Sequence, residues 1–154
     1  MERNSRDFVR RIRVIDENTE AVCDLLQSHC QAGSAIKRVF YPKWDSRENY
    51  DRCRIKGPDG ALIGGFGGLF SVTFHSDAAS RAFFDSLPIN KGPSLGTNFS
   101  LACPYTILAH FTELEWAAEY GVEEGLVRVS VGLEGKEDLL GRFKIAIEAA
   151  DATI

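Results

Sequence analysis

Two segments of the chain alternate strictly, and both leave the same kind of face uncovered. In "LVRVSV" and its continuation, Val127, Val129, Val131 and Leu133 fall on one side of a period-two strand, while Leu126, Arg128, Ser130 and Gly132 fall on the other. In "LFSVTFH", Phe70, Val72 and Phe74 point one way, and Ser71, Thr73 and His75 the other. Strands of this kind need a sheet whose apolar face is covered by helices and whose second face is mixed and polar. Arg128 is the outlier on that second face. Its guanidinium is a planar fork of donors suited to two-point contact with a carboxylate or phosphate, and the plainer alternative is a surface ion pair.

The helical layer is legible on either side of these strands. Over residues 4–28, Phe8, Ile12, Ile15, Val22 and Leu26 recur at three- and four-residue steps, with Arg3, Arg6, Arg10 and Arg13 opposite as a solvated basic stripe. A helix over 76–86 follows the first strand, with Ser76 as N-cap and Ala79, Phe83 and Phe84 on its apolar side. Thr112 and Glu115 have capping-box spacing for a short helix ending near Gly121, and 136–150 forms a closing helix with Leu139, Leu140, Phe143 and Ile147 inward. A strand in "IKRVFYP", a small helix near 48–54, and an irregular strand-and-turn segment over 90–105 complete the order. The expected fold class is α/β: an α+β sandwich with one small, mainly antiparallel or mixed sheet and helices on one face, in a single domain over residues 1–154.

Composition narrows the function classes. Hydrophobic residues at 44%, charged residues at 26% and a net charge of −4 describe an ordinary globular chain and argue against a general nucleic-acid partner. No apolar run has the length of a membrane span and no signal-like start precedes one, so the expectation is no membrane partner and a cytoplasmic location. Cys23, Cys30, Cys53 and Cys103 stand singly, as free thiols rather than a zinc set, and His29, His75 and His110 make no local metal motif. The segment "KGPDGALIGGFGGLF" is glycine-rich, but it lacks the order of a phosphate loop and leads into a strand, not into a helix that would offer an N-terminus to an anion.

Three stretches, "GGLFSVTF" at 67–74, "SLGTNFSL" at 94–101 and "YGVEEGLVRVSVGLE" at 120–134, resemble in order and interval the C-terminal domain of the Cys/Met-metabolism pyridoxal-phosphate enzymes, the trans-sulfuration family, nearest to its fungal cystathionine γ-synthase branch. The opening "NSRDFVRRI" is similar to the helix joining that family's two domains. The resemblance implies that Arg128 binds a substrate α-carboxylate, with Ser94 of the "SLG" motif beside it. Thr97, Asn98 and Phe99 depart from the "GVE" of many relatives, which bears on side-chain specificity. It also implies that the Schiff-base lysine and the other cofactor-binding groups belong to a preceding large domain that residues 1–154 do not include, since Lys37, Lys43, Lys91, Lys136 and Lys144 lack the family's lysine context. Met1 falls where the family has an internal residue, at the domain junction. No cofactor is therefore expected in the isolated chain, and pyridoxal phosphate only where a separate large domain supplies its site.

Three functions remain open at this point. The chain is part or subunit of a pyridoxal-phosphate enzyme catalysing γ-substitution or elimination; or it is a stand-alone domain that binds or transforms a small carboxylate-bearing metabolite without the cofactor; or it is a non-catalytic partner module. For cofactor-free chemistry the candidates are His75, His110, Tyr105 and Asp85 with the Arg128–Ser94 pair, and His75 has the best position because it shares the face of Ser71 and Thr73. The expected partners are a small carboxylate-bearing molecule and either a second copy, as a homo-oligomer, or a pyridoxal-phosphate-binding large domain.

Overall fold

The two alternating strands lie side by side at the centre of the sheet. The computed structural model describes residues 2–154. In chain order its elements are α1 (Glu2–Ser5), α2 (Phe8–Ser28), β1 (Ile36–Phe40), α3 (Arg47–Asp51), β2 (Ile55–Lys56), β3 (Leu62–Ile63), β4 (Leu69–Phe74), α4 (Asp77–Ser86), β5 (Asn90–Lys91), β6 (Leu101–Pro104), α5 (Tyr105–His110), α6 (Leu114–Glu119), β7 (Val127–Ser130) and α7 (Lys136–Asp151). Five strands form one mixed sheet in the order β1-β4-β7-β6-β5, antiparallel except for the β5–β6 pair, while β2 and β3 make a separate hairpin. This is the expected mixed α/β architecture with its small sheet. None of the described helices is long and apolar enough to cross a membrane.

One face of the sheet is the core. Phe70, Val72, Phe74, Val127 and Val129 are buried there beneath α2, α4 and α7. Phe83 of α4 meets Phe74 at 5.0 Å between ring centroids and Phe143 of α7 at 6.2 Å, and Phe143 in turn meets Phe70 at 6.1 Å. Helix α4 starts as its sequence requires, with the Ala79 N–H donating to Ser76 Oγ at 3.2 Å. The end of α7 is fixed to the start of β1, where Asp151 Oδ1 accepts from the Ala35 N–H at 2.7 Å.

Three local expectations need correction. The first helix breaks at Arg6 and Asp7, and in α2 Phe8 and Ile12 are 54% and 37% exposed rather than inward; only from Ile15 onward does the apolar stripe meet the core. Its arginines are bound locally, Arg6 to Glu2 and Arg10 to Asp7, as expected of a solvated face. The capping box does not form: Thr112 lies in the turn between α5 and α6, one residue before the actual N-cap, Glu113, whose carboxylate instead takes the His110 ring at 2.7 Å. Finally, the irregular segment expected over 90–105 ends in a helix, Tyr105–His110, that the sequence reading did not place, and this helix abuts β6 and β7. The second face of the sheet is covered in part, and on it Thr73 and Ser130 are only 1% and 5% exposed.

Candidate functional site

Register places Arg128 in the middle of the second face. Ser71 of β4 pairs with it on one side and Cys103 of β6 on the other, so all three side chains leave the sheet in the same direction. Two contacts hold the half-buried guanidinium. Its Nη2 donates to the Pro93 carbonyl at 2.7 Å, and its central carbon lies 4.7 Å from the centroid of the Tyr105 ring, the first residue of α5. A single carbonyl uses one of five donors, so most of the fork stays available for an anion. Ser94 follows Pro93 directly in the chain and is exposed.

The loop that carries Ser94 is fastened to β7 and its extension at successive points. Beyond the Arg128–Pro93 bond, the Gly96 N–H donates to Ser130 Oγ at 3.2 Å and the Leu133 N–H donates to the Asn98 carbonyl at 2.9 Å. Arg11 of α2 also reaches Asn98, its Nη1 donating to Oδ1 at 3.2 Å. Sequence patterning does not reveal this, because every bond joins residues far apart in the chain. Leu95 and Phe99 stand exposed on the same loop.

Against this geometry the comparisons with known proteins are specific. The sequence model of the family described as Cys/Met metabolism PLP-dependent enzyme matches residues 6–148. The chain belongs to that family. It is 58% identical over 161 aligned residues to the cystathionine gamma-synthase-like enzyme iboG2 of Amanita muscaria, covering 97% of this chain and 26% of that protein. It is 48% identical over 152 residues to the cystathionine gamma-synthase of Neurospora crassa, covering 98% of this chain and 23% of that protein. Among solved structures, the cystathionine gamma synthase of Xanthomonas oryzae pv. oryzae in complex with cystathionine superposes with a TM-score of 0.81 at 30% identity, covering 99% of this chain and 38% of the other. The chain thus spans about a quarter of the length of these curated relatives. Its structural neighbours are fold-type I pyridoxal-phosphate enzymes.

The family's cofactor is tested against the lysines. Lys37 pairs with Glu123 at 3.0 Å, Lys43 with Glu20 at 2.8 Å and Asp24 at 2.7 Å, and Lys136 with Glu17 at 3.9 Å. Lys91, the lysine nearest the loop in sequence, turns to the end of α4. It donates to the carbonyls of Phe84 and Leu87, its ammonium 4.2 Å from the Phe84 ring centroid, and partial burial pushes its pKa down. These four amines serve ion pairs and a helix end. Among the described residues, no cluster of His, Cys, Asp and Glu is arranged for a metal ion.

The remaining candidates are dispersed. His75 shares the face of Ser71 and Thr73, but it is exposed at the far end of β4, four residues beyond the register partner of Arg128 and so roughly 13 Å away along the strand. Asp85 lies on α4, across the sheet from Arg128. Tyr105 and His110 are brought together, their ring centroids 5.8 Å apart, and Tyr105 alone of these four candidates touches the Arg128 guanidinium. The cysteines are free, and burial pushes the Cys23 thiol well above its usual pKa, which makes it an inert core residue.

Proposed function

We propose that this chain is the carboxylate-recognising portion of a cystathionine γ-synthase-like enzyme, with Arg128 receiving the α-carboxylate of an amino-acid substrate and Ser94 beside it. The observation that carries the reading is the held but unsaturated guanidinium. Arg128 stands on the central strand, its central carbon over the Tyr105 ring and one donor taken by the Pro93 carbonyl, with Ser94 the next residue in the chain. A rigid strand and a stacked ring remove the rotamer freedom that a long side chain would otherwise lose on binding. Pyridoxal phosphate, when bound, supplies an electron sink for carbanion chemistry on the amino acid. In this reading its lysine comes from outside residues 1–154, in a large domain or partner subunit, and the present chain binds and orients the substrate. Self-association or docking of that domain closes the site over the sheet's second face.

The test is calorimetric titration of the chain with L-cystathionine, a readout that the parent and every Arg128 variant share. Arg128→Lys keeps the charge and loses the fork, so binding should weaken by about 1–3 kcal/mol, the range for charge-assisted hydrogen bonds. That is roughly a 5- to 150-fold rise in Kd. Arg128→Ala should weaken it further. Equal binding by parent and both folded variants would remove Arg128 from the role.

A further inference from the structure

Glu134 closes the "GLVRVSVGLE" stretch, yet it lies too far along the chain to touch the Arg128 guanidinium. Its carboxylate faces the base of the Ser94 loop. Oε1 accepts from the Ser100 N–H at 2.6 Å and Oε2 accepts from Ser100 Oγ at 2.9 Å, a two-point hold on one residue. Ser100 is fully buried and its Oγ also accepts from the Gly132 N–H at 2.9 Å, so the hydroxyl is committed as both donor and acceptor. On the other side Asn18 of α2, 3% exposed, donates to the carbonyls of Gly132 and Glu134 at 3.2 and 2.8 Å. The result is a ladder: Arg128 to Pro93, Ser130 to Gly96, Leu133 to Asn98, Glu134 to Ser100. Only the last rung is bidentate, and it stands where the loop enters β6.

We propose that Glu134 is a positioning residue of the Arg128 site, acting through Ser100 to fix the loop over residues 93–100 and thereby the Pro93 carbonyl that orients the guanidinium. A bidentate carboxylate on a backbone N–H and a hydroxyl sets both the distance and the direction in which the chain leaves the site. Without it, the loop keeps one-point bonds alone: Arg128 to Pro93, Gly96 to Ser130, and Leu133 and Arg11 each to Asn98. The Pro93 carbonyl then moves relative to Arg128, and the fork loses its fixed plane. The carboxylate half of this proposal rests on the proposed function, and the loop half does not.

The experiment uses the whole chain carrying Glu134→Ala, Glu134→Gln or Arg128→Ala, with L-cystathionine as probe and two readouts. One is the Kd from calorimetric titration. The other is amide hydrogen exchange at Gly96 and Leu133, with Val129 and Phe143 as internal references. Glu134→Ala should raise Kd at least 5-fold and speed exchange at Gly96 and Leu133 at least 10-fold, leaving Val129 and Phe143 at parental rates; Glu134→Gln, which keeps one acceptor for the Ser100 N–H, should recover part of both. A purely structural role would instead speed exchange at all four amides together and leave Kd unchanged in the folded fraction, and that result overturns the proposal. If Glu134→Ala does not fold, the same two outcomes are read from Glu134→Gln. If neither the parent nor Arg128→Ala binds the probe, the carboxylate reading fails, and parental exchange at Gly96 in the Glu134 variants would end the positioning role as well.

Discussion

Phe83→Ala is expected to lower the unfolding free energy by about 3–5 kcal/mol, the range for an aromatic ring removed from a packed core. Phe83 is fully buried and links two elements, meeting Phe74 of the sheet at 5.0 Å and Phe143 of α7 at 6.2 Å. Truncation opens a void between α4, α7 and the sheet. Phe143 also packs on Phe70, so the void cannot close by shifting one ring without disturbing a second contact. Total stability for a domain of this size is about 5–15 kcal/mol, so a large part of it depends on this one ring. Urea unfolding followed by tryptophan fluorescence measures it. A matched Phe84→Ala variant, removing a half-buried ring on the rim of the same helix, should cost clearly less. A loss under about 1.5 kcal/mol for Phe83→Ala would mean that the helical layer is far looser than close packing requires.

Gly132→Ala should be the most damaging single-methyl change near the site. A Cβ at this position would stand 2.6 Å from the Cα and C atoms of Phe99 and 2.7 Å from the Asn98 carbonyl oxygen. All three are backbone atoms, so no flexible side chain can swing away, and the 93–100 loop itself must move. Overpacking of this kind costs about 1–3 kcal/mol. Displacement of Phe99 also strains the Ser100–Glu134 hold and the Leu133–Asn98 bond, so the variant should lose L-cystathionine binding along with stability. Gly141 is the control, since it lies within α7 with nothing within 4 Å of its would-be Cβ. Gly141→Ala should stabilise by about 0.5–1 kcal/mol, through better helix propensity alone. The pair moves in opposite directions for the same added methyl, and thermal unfolding of both, with a binding titration, checks the contrast. Unchanged stability in Gly132→Ala would show that the loop is not seated on β7 as described.

Legibility in the sequence followed the range of the interactions. Elements held by their own periodicity were readable: β4 and β7 from alternation, α7 from Leu139, Phe143 and Ile147, α4 from Ser76 as its cap. Arg128 was conspicuous because a single charge interrupted such a pattern. The outward turn of Phe8 and Ile12 was not readable, because α2 keeps its helical period past the edge of what it packs against, and periodicity alone does not say where a neighbour ends. Nor was α5, a six-residue helix entered from Pro104 with little amphipathic signal of its own. The 93–100 loop was the least legible part. Its shape is set by bonds from Pro93, Gly96, Asn98 and Ser100 to residues more than thirty positions away. Glu134 stood inside a motif already singled out, but its task is visible only once Ser100 lies opposite.

The alignment of Arg128 between Ser71 and Cys103 has a consequence for how the chain reaches its native state. A hairpin-like mispairing of β7 displaced by a single residue would invert the strand, driving the guanidinium into the layer of Phe70, Phe83 and Phe143 and turning Val127 and Val129 out to water. An unpaired ion there is penalised by roughly several kcal/mol, on top of the forfeited valine burial. The same charge that marks the proposed carboxylate site therefore also makes the offset pairing of the central strand energetically unfavourable.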